Sequence, residues 1–188
     1  MALSEAILVS LADEPLTGYD LAKRFAETIG FFWHADHQQI YRTLGSLRSD
    51  GMVTDELVVQ QGRPNKRVYS ITAAGRDRLL QWSRENHAAA SVKDDLLVTL
   101  YGLEHADVAA VRAQVADRLE HHRRRLALYE RIEQSGYSDV SPDDAAATGR
   151  LLGLELGLAY ERAWIDWCTE ALDRLAPLST STDRIIGS

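Results

Sequence analysis

The feature that most restricts this chain is a change of period. In "ELVVQQGRPNKRVYSI", two β-prone runs rich in Val, Tyr and Ile, residues 56–61 and 66–71, flank the turn Gly62, Arg63, Pro64, Asn65. Glycine, proline and asparagine supply turn conformations that strand residues resist, so this stretch reads as a β-hairpin. The segments on both sides repeat at helical spacing instead. The tip of the hairpin is cationic, carrying Arg63, Lys66 and Arg67.

Upstream of it the chain is cut into short amphipathic pieces. Leu3, Ile7, Leu8 and Leu11 recur at helical spacing until Pro15 stops them. Thr17, with Asp20 three residues on, resembles a capping box; Leu21 and Phe25 then share a face, and Gly30 ends the segment. Asp36 is placed to cap a third helix, Ile40, Leu44 and Leu47 form its apolar side, and Gly51 closes it. After the hairpin, Thr72 caps a further helix with Leu79 and Trp82 directed inward. Three helices followed by a cationic hairpin is the order of a winged helix-turn-helix. In that architecture the third helix enters the major groove, and the hairpin wing reaches the adjacent backbone or minor groove.

Charge bears on this reading. The 188 residues carry a net charge of −7, which argues against a polyanionic partner at first sight. The acidity is unevenly spread: residues 1–87 hold 10 Lys and Arg against 11 Asp and Glu, a net of −1, whereas residues 88–188 hold 11 against 17, a net of −6. A near-neutral first half is compatible with DNA binding if its cations share one face, because affinity depends on local phosphate neutralisation. No apolar run approaches a membrane span, and the first ten residues contain Glu5 and no base, so neither a membrane segment nor a signal peptide is expected. Cys168, the single cysteine, excludes an intrachain disulfide and an all-cysteine metal site. A cytoplasmic location is the simplest expectation.

The second half is helical throughout. A short helix over "DDLLVTLYGLEHAD" breaks near Gly102, and its adjacent Asp94 and Asp95 suit capping rather than acid/base work. From Asp107 a stripe of Val108, Val111, Val115, Leu119, His122, Leu126, Tyr129 and Ile132 holds helical register for about seven turns. Ser141 as cap and Pro142 at the first position would begin a last helix, running from about Asp143 to Leu175, and residues 177–188 read as a flexible tail. On that helix Leu151, Leu154, Leu158 and Ile165 lie to one side and Leu156, Tyr160, Trp164 and Trp167 to the other, an apolar arc wider than one neighbour covers. A second copy of the chain is the simplest cover, and Leu151, Leu154, Leu158, Tyr160, Trp164, Ile165 and Trp167 are the expected interface. The expected organisation is mainly α: a winged helix-turn-helix over 1–87 and a helical dimerisation domain over 88–176.

The stretches "GYDLAKRF", "FWHADHQQIYRTLGSLRSDGMV", "GRPNKRVYSITAAGRDRLLQW" and "LGLELGLAYERAWIDWCTEAL" together resemble PadR-type transcriptional regulators, with a C-terminal half similar to the virulence-activator branch. The resemblance runs from about Leu3 to Leu175. It implies a dimeric repressor, in some cases an activator, whose winged helices bind a pseudo-palindromic site on double-stranded DNA. It also implies that a small aromatic effector releases the DNA, as in some members. Base and phosphate contacts would then fall to Gln38, Gln39, Tyr41 and Arg42 in the third helix and to Arg63, Asn65, Lys66 and Arg67 in the wing. Glutamine can pair bidentately with adenine and arginine with guanine. The Tyr41 ring could pack while its hydroxyl reaches a phosphate, and Arg48 is a weaker phosphate candidate.

Other features have plainer readings. Adjacent His121 and His122 diverge by about 100° on a helix and cannot share one ion. His122 lies on the apolar stripe and reads as a packed residue, and Arg123, Arg124 and Arg125, interleaved with Glu120 and Glu130, read as a solvated, salt-bridged face. The tryptophans and tyrosines read as core and interface, and the junction of the two halves is where a ligand pocket would be sought. No glycine-rich phosphate loop, metal-spaced His/Cys set or nucleophile motif is present in the sequence, so an enzyme, a cofactor and a metal are not expected. The alternative is a winged-helix protein-interaction module that does not bind DNA.

Overall fold

The computed structural model describes residues 2–27, 35–60, 62, 65–89, 93–136, 141 and 143–178. The chain divides into two compact units, Met1–Ala89 and Ala90–Ser188. The residues of the expected tail beyond 178 lie outside the described residues.

In the first unit the order is α1 (Ala2–Asp13), β1 (Leu16–Thr17), α2 (Gly18–Glu27), α3 (His37–Ser49), β2 (Val53–Val58), β3 (Lys66–Ile71) and α4 (Ala73–Trp82). The hairpin β2–β3 is antiparallel, pairing Val53 with Ile71 through Val58 with Lys66. It starts three residues earlier than the sequence suggests. Val53 belongs to the strand because it is also core, at 1% exposure. β1, only two residues long and too short for any period to reveal, adds a third strand beside β3 by pairing Leu16 with Tyr69.

One apolar cluster holds these elements together: Ile7, Leu8 and Leu11 of α1, Leu21 and Phe25 of α2, Ile40, Leu44 and Leu47 of α3, and Val53 of β2. Burying each such side chain is worth about 1.5–3 kcal/mol before conformational entropy is charged against it. The caps carry the same message as the apolar spacing. Thr17 and Asp20 bond each other at the start of α2, and Asp36 forms a full capping box with Gln39 at the start of α3. The end of α3 is a Schellman closure: Gly51 N–H donates to Arg48 O and Met52 N–H to Leu47 O. Gly51 sits at φ +70°, where only glycine is unstrained. Thr72 Oγ1 lies within hydrogen-bonding distance of the carbonyls of Gly51 and Met52 and accepts from Gly75 N–H, so the end of α3, the base of β2 and the start of α4 meet at one hydroxyl.

The second unit contains α5 (Asp95–Tyr101), a 3₁₀ turn (Leu103–His105), α6 (Val108–Gly136) and α7 (Ala145–Leu175). The expected break near Gly102 is present. The cap of α7 differs from expectation: Asp144, not Ser141, receives the Ala147 N–H, and Asp144 N–H donates to Ser141 O in the preceding turn. A carboxylate reaches the N3 amide as well as a hydroxyl does, and it adds favourable charge at the helix N-terminus. Pro142 lies outside the described residues. Val108, Val111, Val115 and Leu119 of α6 pack with Leu96 of α5 and Cys168 and Leu175 of α7. Burial pushes the Cys168 thiol upward, keeping it a neutral packing group.

Candidate nucleic-acid interface

α3 is two-sided. Ile40, Leu44 and Leu47 hold one side in the core, and the opposite stripe presents Gln38, Tyr41, Arg42, Arg48 and Ser49 to solvent. Gln38 and Arg42 have no side-chain partner among the described residues and are free to bond something else. The other expected residues are partly engaged. The Gln39 side-chain oxygen accepts from Asp36 N–H, so its carbonyl is committed to the helix cap and only its amide protons can point outward. A bidentate grip on adenine by Gln39 would require the capping box to open.

Tyr41 is half exposed, and its ring lies over Gly18 at the start of α2. Any β-carbon at Gly18 would overlap Tyr41 Cε1, so that glycine is the seat of the ring. Both halves of the reading of Tyr41 are therefore compatible with its position: the ring packs and the face remains open. Gly45 stands in the middle of the same exposed stripe, and a β-carbon there would meet nothing within 4 Å.

On the wing, Lys66 is exposed and its side chain has no partner among the described residues. Asn65 uses its side-chain oxygen to accept from Gln60 N–H across the loop, a fastening rather than a free reader. Arg63 lies outside the described residues. An acid nevertheless meets the wing cations from outside their run: Asp55 on β2. Its Oδ2 accepts from Arg67 Nη1, and its Oδ1 lies 3.4 Å from Arg48 Nη1 of α3. Arg67 is thus not a free cation. Asp55 pairs with Tyr69 and Leu57 with Arg67, so Asp55 and Arg67 share one face of the hairpin as diagonal neighbours. Linear separation, twelve residues, hid this contact.

The second unit arranges charge differently. Glu161 on α7 is fully buried, and two groups of α6 satisfy it: His122 Nδ1 at 2.5 Å and Arg125 Nε at 2.8 Å. Arg125 also donates to the Tyr129 hydroxyl. His122 is buried as expected, but Arg125 is drawn inward instead of joining a solvated face with Arg123 and Arg124. The signal was present in the pattern: Glu161 falls at helical spacing among Leu154, Leu158, Ile165 and Cys168, just as His122 interrupts the α6 stripe. His122 stacks on Trp164 with centroids 5.1 Å apart, and the Arg118 guanidinium lies 5.2 Å from the same ring.

Asp94 caps α5 as expected and also accepts from Arg118, which holds its carboxyl below the usual aspartate range. Burial, then the neighbouring His122, lowers His121 from its ordinary value. Asp94, Asp117, Arg118, His122, Tyr160 and Trp164 line an open cleft of about 560 Å³ inside this unit. The sequence directs the search for any pocket to the junction of the two halves, whereas all of these lining residues belong to the second unit.

Of the expected interface set, Leu154 and Leu158 are buried within the protomer at 2% exposure each, along α6, so they are not available to a second chain. Leu151, Trp164 and Ile165 are half-buried, with Trp164 and Ile165 packed against the unit's own core. Tyr160 and Trp167 do face outward, joined by Leu152 and Leu156, at 61% and 72% exposure. These four recur at helical spacing within a sector of about 80°. Leu152 lies outside the expected set, which holds its neighbour Leu151 instead. Among the described residues, no helix is long and apolar enough to cross a membrane.

Comparison with known proteins accounts for both units. Residues 7–81 match the family model described as the PadR-like transcriptional regulators, and residues 92–176 match the virulence activator alpha C-terminal model. A Mycobacterium tuberculosis protein designated a probable transcriptional regulator is 40% identical over 185 residues, which span 93% of this chain and 98% of that protein. The structure of Bacillus subtilis PadR in complex with operator DNA superposes with a TM-score of 0.76 at 27% identity, covering 93% of this chain and 99% of that one. The Vibrio cholerae virulence activator AphA superposes with a TM-score of 0.74 at 34% identity, covering 94% and 99%. These relatives are regulators of transcription rather than enzymes. The chain belongs to the PadR family of transcriptional regulators and carries a C-terminal half of the virulence-activator type.

Proposed function

We propose that this regulator is a cytoplasmic homodimer that represses transcription by placing two α3 helices in successive major grooves of a pseudo-palindromic operator, with the wings on the flanking backbone. The observation that carries the reading is the polarity of α3. Its apolar side is fixed in the core, and Gln38 and Arg42 are left without side-chain partners among the described residues, as is Lys66 on the wing. Arg42 and Gln38 supply base-edge contacts, the amide of Gln39 and the Tyr41 hydroxyl add polar contacts, and Lys66, Arg67, Asn65 and Arg63 serve the phosphates. Operator-bound Bacillus subtilis PadR, a protein named a negative transcriptional regulator, supports both the DNA partner and the sign of control.

The dimer is supported by the outward stripe of Leu152, Leu156, Tyr160 and Trp167 on α7, an apolar surface that a soluble regulator has to cover. A small aromatic effector is supported by the Bacillus subtilis PadR structure with p-coumaric acid and by the aromatic wall of Tyr160 and Trp164 in the cleft. The test is selection of bound fragments from a random duplex pool. An enriched motif with two-fold symmetry is the expected result. Arg42→Ala should then cost about 1–3 kcal/mol on that motif and relax one position in each half, whereas Lys66→Ala should weaken all duplexes alike and lower the salt slope by about one contact. Recovery of no enriched sequence would sink the reading and favour the protein-interaction module.

A further inference from the structure

Asp55 borders the proposed DNA surface, and its position is unusual for a surface carboxylate. It is on β2, yet its side chain is only 14% exposed, because one oxygen accepts from Arg67 of β3 and the other faces Arg48 in the last turn of α3. Both arginine side chains are about half exposed, at 49% for Arg48 and 46% for Arg67. One anion with two oxygens therefore stands between two half-exposed cations, in the angle between the reading helix and the wing. A phosphodiester oxygen pair offers the same charge and a similar spread of acceptors. Gln38, Arg42 and Lys66 have no such internal partner among the described residues.

We propose that Asp55 is a positioning residue that occupies Arg48 and Arg67 until DNA phosphates in the correct register displace it, and so suppresses binding to arbitrary sequence. This inference rests on the reading of α3 and the wing as the DNA-facing surface. On an arbitrary duplex the two arginines stay with Asp55, and the contact is sequence-independent and weak. On the operator, the base contacts of α3 fix the phosphates where both guanidinium groups can transfer to them. The carboxylate sets a threshold: phosphates that are not held in place do not compete with an anion already in position.

The test compares wild type with Asp55→Asn on two probes, an operator selected from a random pool and a 25-base-pair duplex of unrelated sequence, across a salt series. Exposed ion pairs of this kind are weak individually, so releasing both arginines should raise affinity for the unrelated duplex by about three- to tenfold. Its salt slope should steepen by up to about two phosphate contacts. Operator affinity should rise as well, because the wild-type arginines have to leave Asp55 before they reach the operator phosphates. Adding Arg67→Ala to Asp55→Asn should abolish much of the gain. Unchanged affinity for the unrelated duplex would overturn the proposal, as would a loss of affinity on either probe. If Asp55→Asn does not fold, Arg48→Ala on the exposed end of α3 decides instead: on the operator its salt slope should fall by about one contact, and an unchanged slope overturns the role of Arg48. Wild type that retains neither duplex would defeat the DNA-binding reading itself, a result distinct from failure of this inference.

Discussion

The two units of this regulator differ in the polarity of what they turn outward. In the first, the aliphatic and aromatic core is joined by one buried carboxylate, Glu5, which meets Arg78, and the partnerless polar side chains of α3 face out. In the second, a carboxylate, an imidazole and a guanidinium are drawn between α6 and α7, while leucines at 152 and 156 are left in solvent. A hydrophobic surface turned outward fits a protein partner, and a polar one fits a charged, hydrated duplex. The contrast shows that each unit's outer face, rather than its core, indicates what it meets.

The contrast breaks most directly at Glu161. Replacing it with alanine leaves Arg125 and His122 facing an empty site, and should cost about 3–5 kcal/mol in chemical denaturation. Replacing Glu161, His122 and Arg125 together with apolar residues of similar volume should recover most of that loss. If the single change is nearly neutral, the buried charges are not a structural commitment of the second unit. Next in size is the outward stripe. Leu152→Asp with Leu156→Asp should yield a monomer by sedimentation and lower operator affinity about a hundredfold, since the second half-site no longer binds at high effective concentration. A variant that stays dimeric would move the interface elsewhere.

A smaller effect concerns acid. Arg118 lowers the Asp94 carboxyl below its ordinary 3.8, so the folded state binds that proton less readily than the unfolded chain. The resulting stabilisation is complete above the ordinary value and disappears as pH falls through the lowered one. Arg118→Gln should therefore make the acid transition of the second unit, followed by the near-ultraviolet signal of its tryptophans, begin at higher pH. Smallest is Gly45→Ala, which sharpens the first half of the contrast. With open space around the added methyl and a better helix former in place, the free protein should gain about 0.5–1 kcal/mol. If the stripe lies against DNA, operator affinity should nonetheless fall, a combination that a merely solvated helix would not show.

Much of this architecture was legible because local chemistry and packing agree. Asp36, Ile40, Leu44, Leu47 and Gly51 define α3 by cap, spacing and stop, and Thr72 caps α4 by the same logic. What sequence hid was contact between distant positions. β1 consists of two residues, Asp55 meets Arg67 across the hairpin, and Glu161 meets His122 across 39 residues. Periodicity reports which side of an element is apolar, but not which neighbour that side meets. For this reason spacing alone directs Leu154 and Leu158 to a second chain, although α6 of the same protomer covers them. Gln39 was a different omission: the same residue type suits a base edge and a capping box, and only the bond to Asp36 N–H distinguishes the two uses.

Only Asp50, Gly51 and Met52 separate α3 from β2, and the backbone bonds of Gly51 and Met52 turn back onto the helix they leave. So short a splice leaves no slack, and the helix and the hairpin are carried as a single rigid tool. A change of target sequence is therefore a matter of exchanging side chains along that tool, since its internal spacing cannot be adjusted without dismantling the splice.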